Sequence, residues 1–196
     1  MKAPLILADF ELAAATLRVP VAAIRAFAEV ESRGAGFLPD DRPVILFERH
    51  IFRRQLLEQG MPLAIVEDIG HRNSLICGKT PGGYGSSTKE WERLDKAANI
   101  NRNAALSAAS YGAFQVMGFN WQRCGYASVQ DLVNAMFKSS AAHLDSFVRF
   151  IQSDAKLLKA LQAQDWPTCA KLYNGANFSI NKYDTRLAEA FARYSH

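Results

Sequence analysis

Apolar positions recur along most of this chain three or four residues apart, the spacing that lines up one face of an α-helix. From Asp9, a fitting N-cap, Phe10, Ala13, Ala14 and Leu17 form the inner face of a first helix, which Val19-Pro20 interrupts. Pro20 suits the first turn of a second helix, where the N–H it lacks would have no partner, and that helix is expected to run to about Ser32. Ser87 and Glu90 stand at capping-box spacing ahead of inward Trp91, Leu94 and Ala98. Further helices are expected at 104–109, 128–137 (Ser128 capping, Leu132 and Met136 inward), 141–152, 167–173 and 184–194.

The pattern breaks in the middle third. "RPVILFERHIFRRQL" begins with a four-residue apolar run that reads as a short strand or as the start of a helix. "GHRNSLICGKTPGGYGSS" is rich in Gly, Ser, Asn and Pro, so a small β-hairpin or irregular lobe is placed here. No internal repeat or low-complexity linker is visible. The expected fold is mainly α, a single helical domain with this small lobe.

Composition is compatible with that fold. A chain of 196 residues can bury a full core, and 49% hydrophobic with 21% charged residues excludes disordered and fibrous classes. The net charge of +4 favours an anionic surface without choosing one. Cys77, Cys124 and Cys169 are sparse, so free thiols and a reducing compartment are expected. Asp9 and Glu11 interrupt the early apolar run before it reaches signal-peptide length, and no apolar stretch approaches the roughly 20 residues that span a bilayer. The expected site of synthesis is therefore the cytoplasm.

"FAEVESRGAGF", residues 27–37, carries the first candidate chemistry. Glu31 lies three, four and seven residues after Ala28, Phe27 and Ile24, so helical geometry puts it on the apolar stripe. Glu29 lies four after Arg25 and four before Arg33, on the charged face, and reads as a solvated ion-pair partner. Desolvation and the negative end of the helix dipole both favour a protonated Glu31, as a general acid requires. On this helix alone, a partly exposed helix-end carboxylate is an equal reading. Two further stretches carry weight. "SAASYGAFQVMGFNW", residues 107–121, reads by itself as a tightly packed helix start, and "KLYNGANFSINKY" ends a helix in a polar turn at Tyr173-Asn174-Gly175.

Other chemistries fail on spacing. "GKT" at 78–80 lacks the earlier glycine of a phosphate loop, since Asn73 stands there, and Pro81 follows where a helix should begin. His50, His71, His143 and His196 show no zinc spacing, so no metal and no cofactor is expected. No G-x-S-x-G elbow exists, and no basic stripe interleaved with aromatics supports nucleic-acid binding.

Taken in order, "AEVESRGAGFLPDDRPVILFERHIF", "AALSAASYGAFQVMG" and "LYNGANFSINKYDTRLAEAFARY" resemble the N-acetylmuramidase family of phage endolysins, within the lysozyme-like superfamily. The resemblance runs through nearly the whole chain, including "ADFELAAATL", and implies one catalytic domain over 1–196 without a separate cell-wall-binding module. It implies hydrolysis of the β-1,4 bond between N-acetylmuramic acid and N-acetylglucosamine, with Glu31, followed by Ser32, as catalytic acid. By the same resemblance Ser110, Tyr111, Gly112, Gln115, Met117, Tyr173 and Asn174 are expected to contact substrate. Tyr111 stands where the family usually has tryptophan and is expected to serve as a sugar platform. Gly34 and Gly36 are expected to turn the chain away above an open groove.

Glu48 in "ILFERH" is the candidate second carboxylate, with an ion pair to Arg49, His50 or Arg53 as the alternative; Asp40 and Asp41 also lie within possible reach. A lytic transglycosylase and a noncatalytic peptidoglycan-binding domain are the rival readings. The expected partner is the peptidoglycan glycan strand, approached by a monomer held in the host cytoplasm until a holin opens the inner membrane.

Overall fold

The computed structural model describes the chain over residues 2–31, 36–175 and 182–196. Among them, eleven α-helices surround one small sheet: α1 Leu7–Leu17, α2 Val21–Glu31, β1 Ile45–Phe47, α3 Arg49–Glu58, α4 Leu63–Arg72, α5 Ser87–Ala98, α6 Arg102–Ser107, β2 Ala109–Tyr111, β3 Val116–Met117, α7 Val129–Met136, α8 Ser140–Gln152, α9 Ala155–Gln162, α10 Trp166–Asn174 and α11 Tyr183–Tyr194. None of these helices is long and apolar enough to cross a membrane.

The helical periods hold, with shifts at the ends. α1 begins at Leu7, before Asp9, whose carboxylate instead reaches back to the N–H of Ile6 at 2.9 Å. Ser128 caps α7 as expected, its hydroxyl accepting from the N–H of Asp131 at 3.1 Å. Glu90 does not serve a capping box. It is buried in α5, where its carboxylate accepts from the N–H groups of Phe47 (2.9 Å) and Gly85 (2.8 Å) and pairs with buried Arg93 at 2.8 Å. Arg93 in turn donates to the carbonyls of Phe47, Leu75 and Gly82, so this pair fastens the irregular lobe to β1.

The Gly-rich middle stretch forms that lobe but not the hairpin. The hairpin comes from "ASYGAFQVM", which sequence alone read as a helix start. β2 lies between its neighbours, antiparallel to both: Ile45 faces Tyr111 and Phe47 faces Ala109, while Ser110 faces Met117 and Tyr111 faces Val116. Strand alternation buries Ile45, Phe47, Ala109, Tyr111 and Val116 on one face; on the other, Leu46 and Met117 are half-buried and Ser110 is buried between them. The core is continuous from α2 through the sheet to α7, α8 and α11. Cys77, Cys124 and Cys169 are buried free thiols, and burial pushes Cys124 up to about 11 and Cys169 up to about 12.

Candidate active site

α2 ends at Glu31, and α11 packs along it in the opposite direction. Tyr183 at the start of α11 donates its phenol to Glu31 Oε1, the Arg186 guanidinium reaches the Val30 carbonyl at 3.2 Å, and Tyr194 near the end of α11 lies under the Arg25 guanidinium at 4.0 Å. Ile24, Phe27 and Ala28 are buried, as the stripe reading required, and Glu31 is half-buried at its end. Glu29 is on the other face, paired with Arg193 and accepting from the Tyr194 phenol at 2.8 Å, which, with Arg193, holds its carboxyl below the usual range. Its partners come from α11 rather than from its own helix.

Tyr183 rests in an aromatic cluster. Its ring stacks on Tyr173 (centroids 6.4 Å apart, planes 16° apart), and Phe27 meets both rings edge-on. Burial first, then the negative charge of Glu31, pushes the phenols of Tyr183 and Tyr173 up, so both stay protonated donors. Tyr173 donates to the carbonyl of Phe114 at 2.8 Å, in the turn joining β2 to β3. That turn is held from within: Gln115 donates to the Gly112 carbonyl at 2.8 Å and accepts from the Ser110 hydroxyl at 2.6 Å. A continuous chain of contacts thus runs from Glu31 through Tyr183, Tyr173 and the turn to Ser110, with Met117 beside it across the strand pair.

Several expected contacts belong to the scaffold instead. Tyr111 is 0% exposed, its phenol donating to the Leu106 carbonyl at 3.0 Å, so it cannot stack on a sugar. It lies on the inner face of β2, and Ser110 takes the outer one. Gly112 has φ +73° and a Cβ there would come within 2.6 Å of the His143 ring. Gly36 is required for close approach rather than for turning: its Cβ would meet His143 at 2.7 Å and the Ala113 nitrogen at 2.8 Å. Gln115 also takes a positive φ of 46°, a backbone state that costs about 1–3 kcal/mol for such a residue and is held here by the bonds just named. Ser32 and Gly34, and the side chain of Asn174, lie outside the described residues.

Glu48 lies off this chain of contacts. It stands between β1 and α3 without capping the helix; its carboxylate accepts from Tyr84 at 2.8 Å, with His50 Nδ1 3.3 Å from the same oxygen. Burial and this bond push the Tyr84 phenol up to about 12. Val44, which bonds both Gly36 and Gly112, is four residues from Glu48, about 13 Å along an extended chain. Asp40 is paired with Arg42 at 2.7 Å.

A half-buried carboxyl thus stands at the mouth of an aromatic cluster that leads to the β2–β3 turn, where Gln115 and Met117 are partly exposed. Comparison with known proteins makes the chain a lysozyme-like peptidoglycan hydrolase. Residues 20–195 match the N-acetylmuramidase family, to which the chain belongs. The crystal structure of Burkholderia AP3 phage endolysin is similar over 100% of this chain and 74% of its own, at 45% identity and a TM-score of 0.91. No curated protein matches. Sequence reasoning missed Tyr183 as a partner of Glu31, although it stands inside the quoted "NKYDTRL" stretch; a tyrosine opening the helix that must cover α2 was the available signal.

Proposed function

We propose that the chain hydrolyses the β-1,4 bond between N-acetylmuramic acid and N-acetylglucosamine, with Glu31 as general acid. The observation that carries this reading is the Tyr183 phenol bound to a half-buried Glu31 at the end of an otherwise apolar helical stripe. Glu31 in its protonated form gives its proton to the leaving glycosidic oxygen as the bond breaks and the departing ring gains oxocarbenium character. Tyr183 fixes the carboxyl rotamer and then donates to the carboxylate left behind, stabilising the charge formed on proton transfer. Gln115 and Met117, partly exposed on the hairpin, form one wall for the glycan, with buried Ser110 bracing Gln115 from behind and Tyr173 holding the turn through the Phe114 carbonyl.

Glu48 is the second carboxylate in this reading. Strand alternation carries it to the side of Leu46, opposite Ser110, where it activates water or faces the developing cation. The net positive charge draws the enzyme to anionic envelope polymers, so activity falls as salt rises. The protein acts as a monomer and waits in the host cytoplasm for holin-dependent release. Its appearance outside intact holin-free cells would count against that route.

Mass spectrometry of digested peptidoglycan tests the reaction. Hydrated reducing ends on N-acetylmuramic acid are expected. Anhydromuramic ends alone would assign a lytic transglycosylase instead.

A further inference from the structure

His143 takes no part in the proton transfer described above, yet it occupies the junction on which the site is built. It is 1% exposed, on α8, and its ring stacks on Phe37 with centroids 4.5 Å apart and planes 22° apart. Nδ1 accepts from the N–H of Ala113 at 3.2 Å, and Nε2 lies 2.7 Å from the carbonyl of Met136. A carbonyl only accepts and an amide N–H only donates, so Nε2 carries the proton and Nδ1 is bare. Both contacts together require the neutral ring in one tautomer. The loop leaving α2 and the β2–β3 turn each close on this ring through a glycine, Gly36 and Gly112, with no room for a side chain at either. Val44, just before β1, joins the same two glycines, donating to Gly36 at 3.0 Å and accepting from Gly112 at 2.8 Å.

We propose that His143 is a positioning residue that locks the chain leaving the Glu31 helix to the β2–β3 turn, and that a proton on Nδ1 releases the lock. The inference rests on Glu31 being the catalytic acid. Protonation turns Nδ1 into a donor facing the donor of Ala113, and it puts an imidazolium where the ring is almost wholly out of water. The charged side chains on the surrounding elements are Asp40, Asp41 and Arg42 on the loop, Asp131 on α7, Lys138 before α8, and Asp145 and Arg149 on α8. Asp40 is paired with Arg42, Asp131 with the Ser128 hydroxyl and Asp145 with Arg149. What bears on the ring itself is burial, which lowers its proton affinity, opposed by the Met136 carbonyl.

The sign follows. A histidine depressed on folding adds stability above its ordinary value of about 6.5, and that stability is lost as pH falls through its folded value. Loss of the general acid's proton limits activity on the alkaline side, so an acid-side loss belongs to another group, Glu48 in its proposed role or His143, and whether the Ala113 amide moves with it tells the two apart.

The full chain, with isotopically labelled histidine and backbone amides, is titrated by NMR from pH 7.5 to 4.5 while kcat and KM are measured on soluble peptidoglycan fragments. The His143 ring nitrogens, the Ala113 amide and the Phe37 amide are expected to shift with one midpoint. Across that midpoint kcat is expected to fall about tenfold, with KM within about twofold, as misplacement of a catalytic group does. In His143→Asn, whose Oδ1 accepts from Ala113 without titrating, kcat is expected to start lower and to show no acid-side fall at the wild-type ring midpoint. An unchanged acid limb in His143→Asn, or a limb at pH values where the ring stays neutral and Ala113 does not move, would overturn the proposal. Should His143→Asn not fold, the wild-type titration decides by whether the two midpoints coincide or separate. If the wild type cuts no glycan at any pH, the reading of Glu31 fails, while the lock is still judged by whether Ala113 and Phe37 follow the His143 ring.

Discussion

Tyr183 and Glu31, 152 positions apart in sequence, are joined by a hydrogen bond from phenol to carboxylate. The bond closes α11 onto the end of α2 and ties the acid to the Tyr173 ring, and through it to the hairpin. The helix contributes the carboxyl; α11 and the hairpin determine where it points.

Removing only the phenol oxygen separates tuning from packing. In Tyr183→Phe the ring keeps its place against Phe27 and Tyr173, so unfolding free energy is expected to fall by only about 1 kcal/mol. The lost bond favoured the ionised carboxyl, so the alkaline limb of kcat is expected to move to higher pH. A pH profile of kcat checks this, and an unmoved limb would mean that Tyr183 does not tune Glu31.

Tyr111→Phe loses the bond to the Leu106 carbonyl inside the core and is expected to cost about 1 kcal/mol in denaturant unfolding with KM unchanged. A severalfold rise in KM without loss of stability would restore Tyr111 as a sugar platform.

The buried Glu90–Arg93 pair carries the lobe. Arg93→Met leaves Glu90 without its cation in a site where both are buried, and such a break costs about 3–5 kcal/mol. Limited proteolysis is expected to cut first within 73–85, the segment whose Leu75 and Gly82 carbonyls Arg93 holds. Cleavage unchanged in rate and position would show that Arg49, which bonds Ser74, Thr80 and Pro81, suffices to hold it.

Glu48→Gln tests the second carboxylate. A loss of kcat of about 100-fold or more with Tm unchanged is expected for a carboxylate that activates water or faces the cation. Activity within about twofold of wild type would leave it as a structural partner of Tyr84 and would make Glu31 the single acid.

Helical regions were the legible part of this fold. The spacing of Ile24, Phe27 and Ala28 placed Glu31 and separated it from Glu29 because an eleven-residue helix has enough turns to define a face. The hairpin was not legible. β2 has three residues and β3 two, too short for a period of two to show, so Ser110 outward and Tyr111 inward were indistinguishable in sequence. α4 was missed because only Val66 on it is buried, which leaves no stripe. α9 carried a readable signal in the Asp154 cap with Leu157 and Leu161 one turn apart. Glu90 matched a local capping pattern, but a partner outside its own turn, the N–H of Phe47, won its carboxylate. The resemblance supplied what spacing did not, the expectation that Glu31 acts as the acid beside the hairpin; the bond to Tyr183 depends on a contact no local pattern encodes.

The central claim is that Glu31 donates the proton that breaks the glycan. The most direct measurement is single-turnover cleavage of purified peptidoglycan by Glu31→Gln beside wild type, with folding checked by Tm and binding by pelleting with intact sacculi. The account predicts cleavage slowed by about 10²–10⁴-fold while Tm and sacculus binding are retained. Cleavage by Glu31→Gln at a rate close to wild type would contradict it.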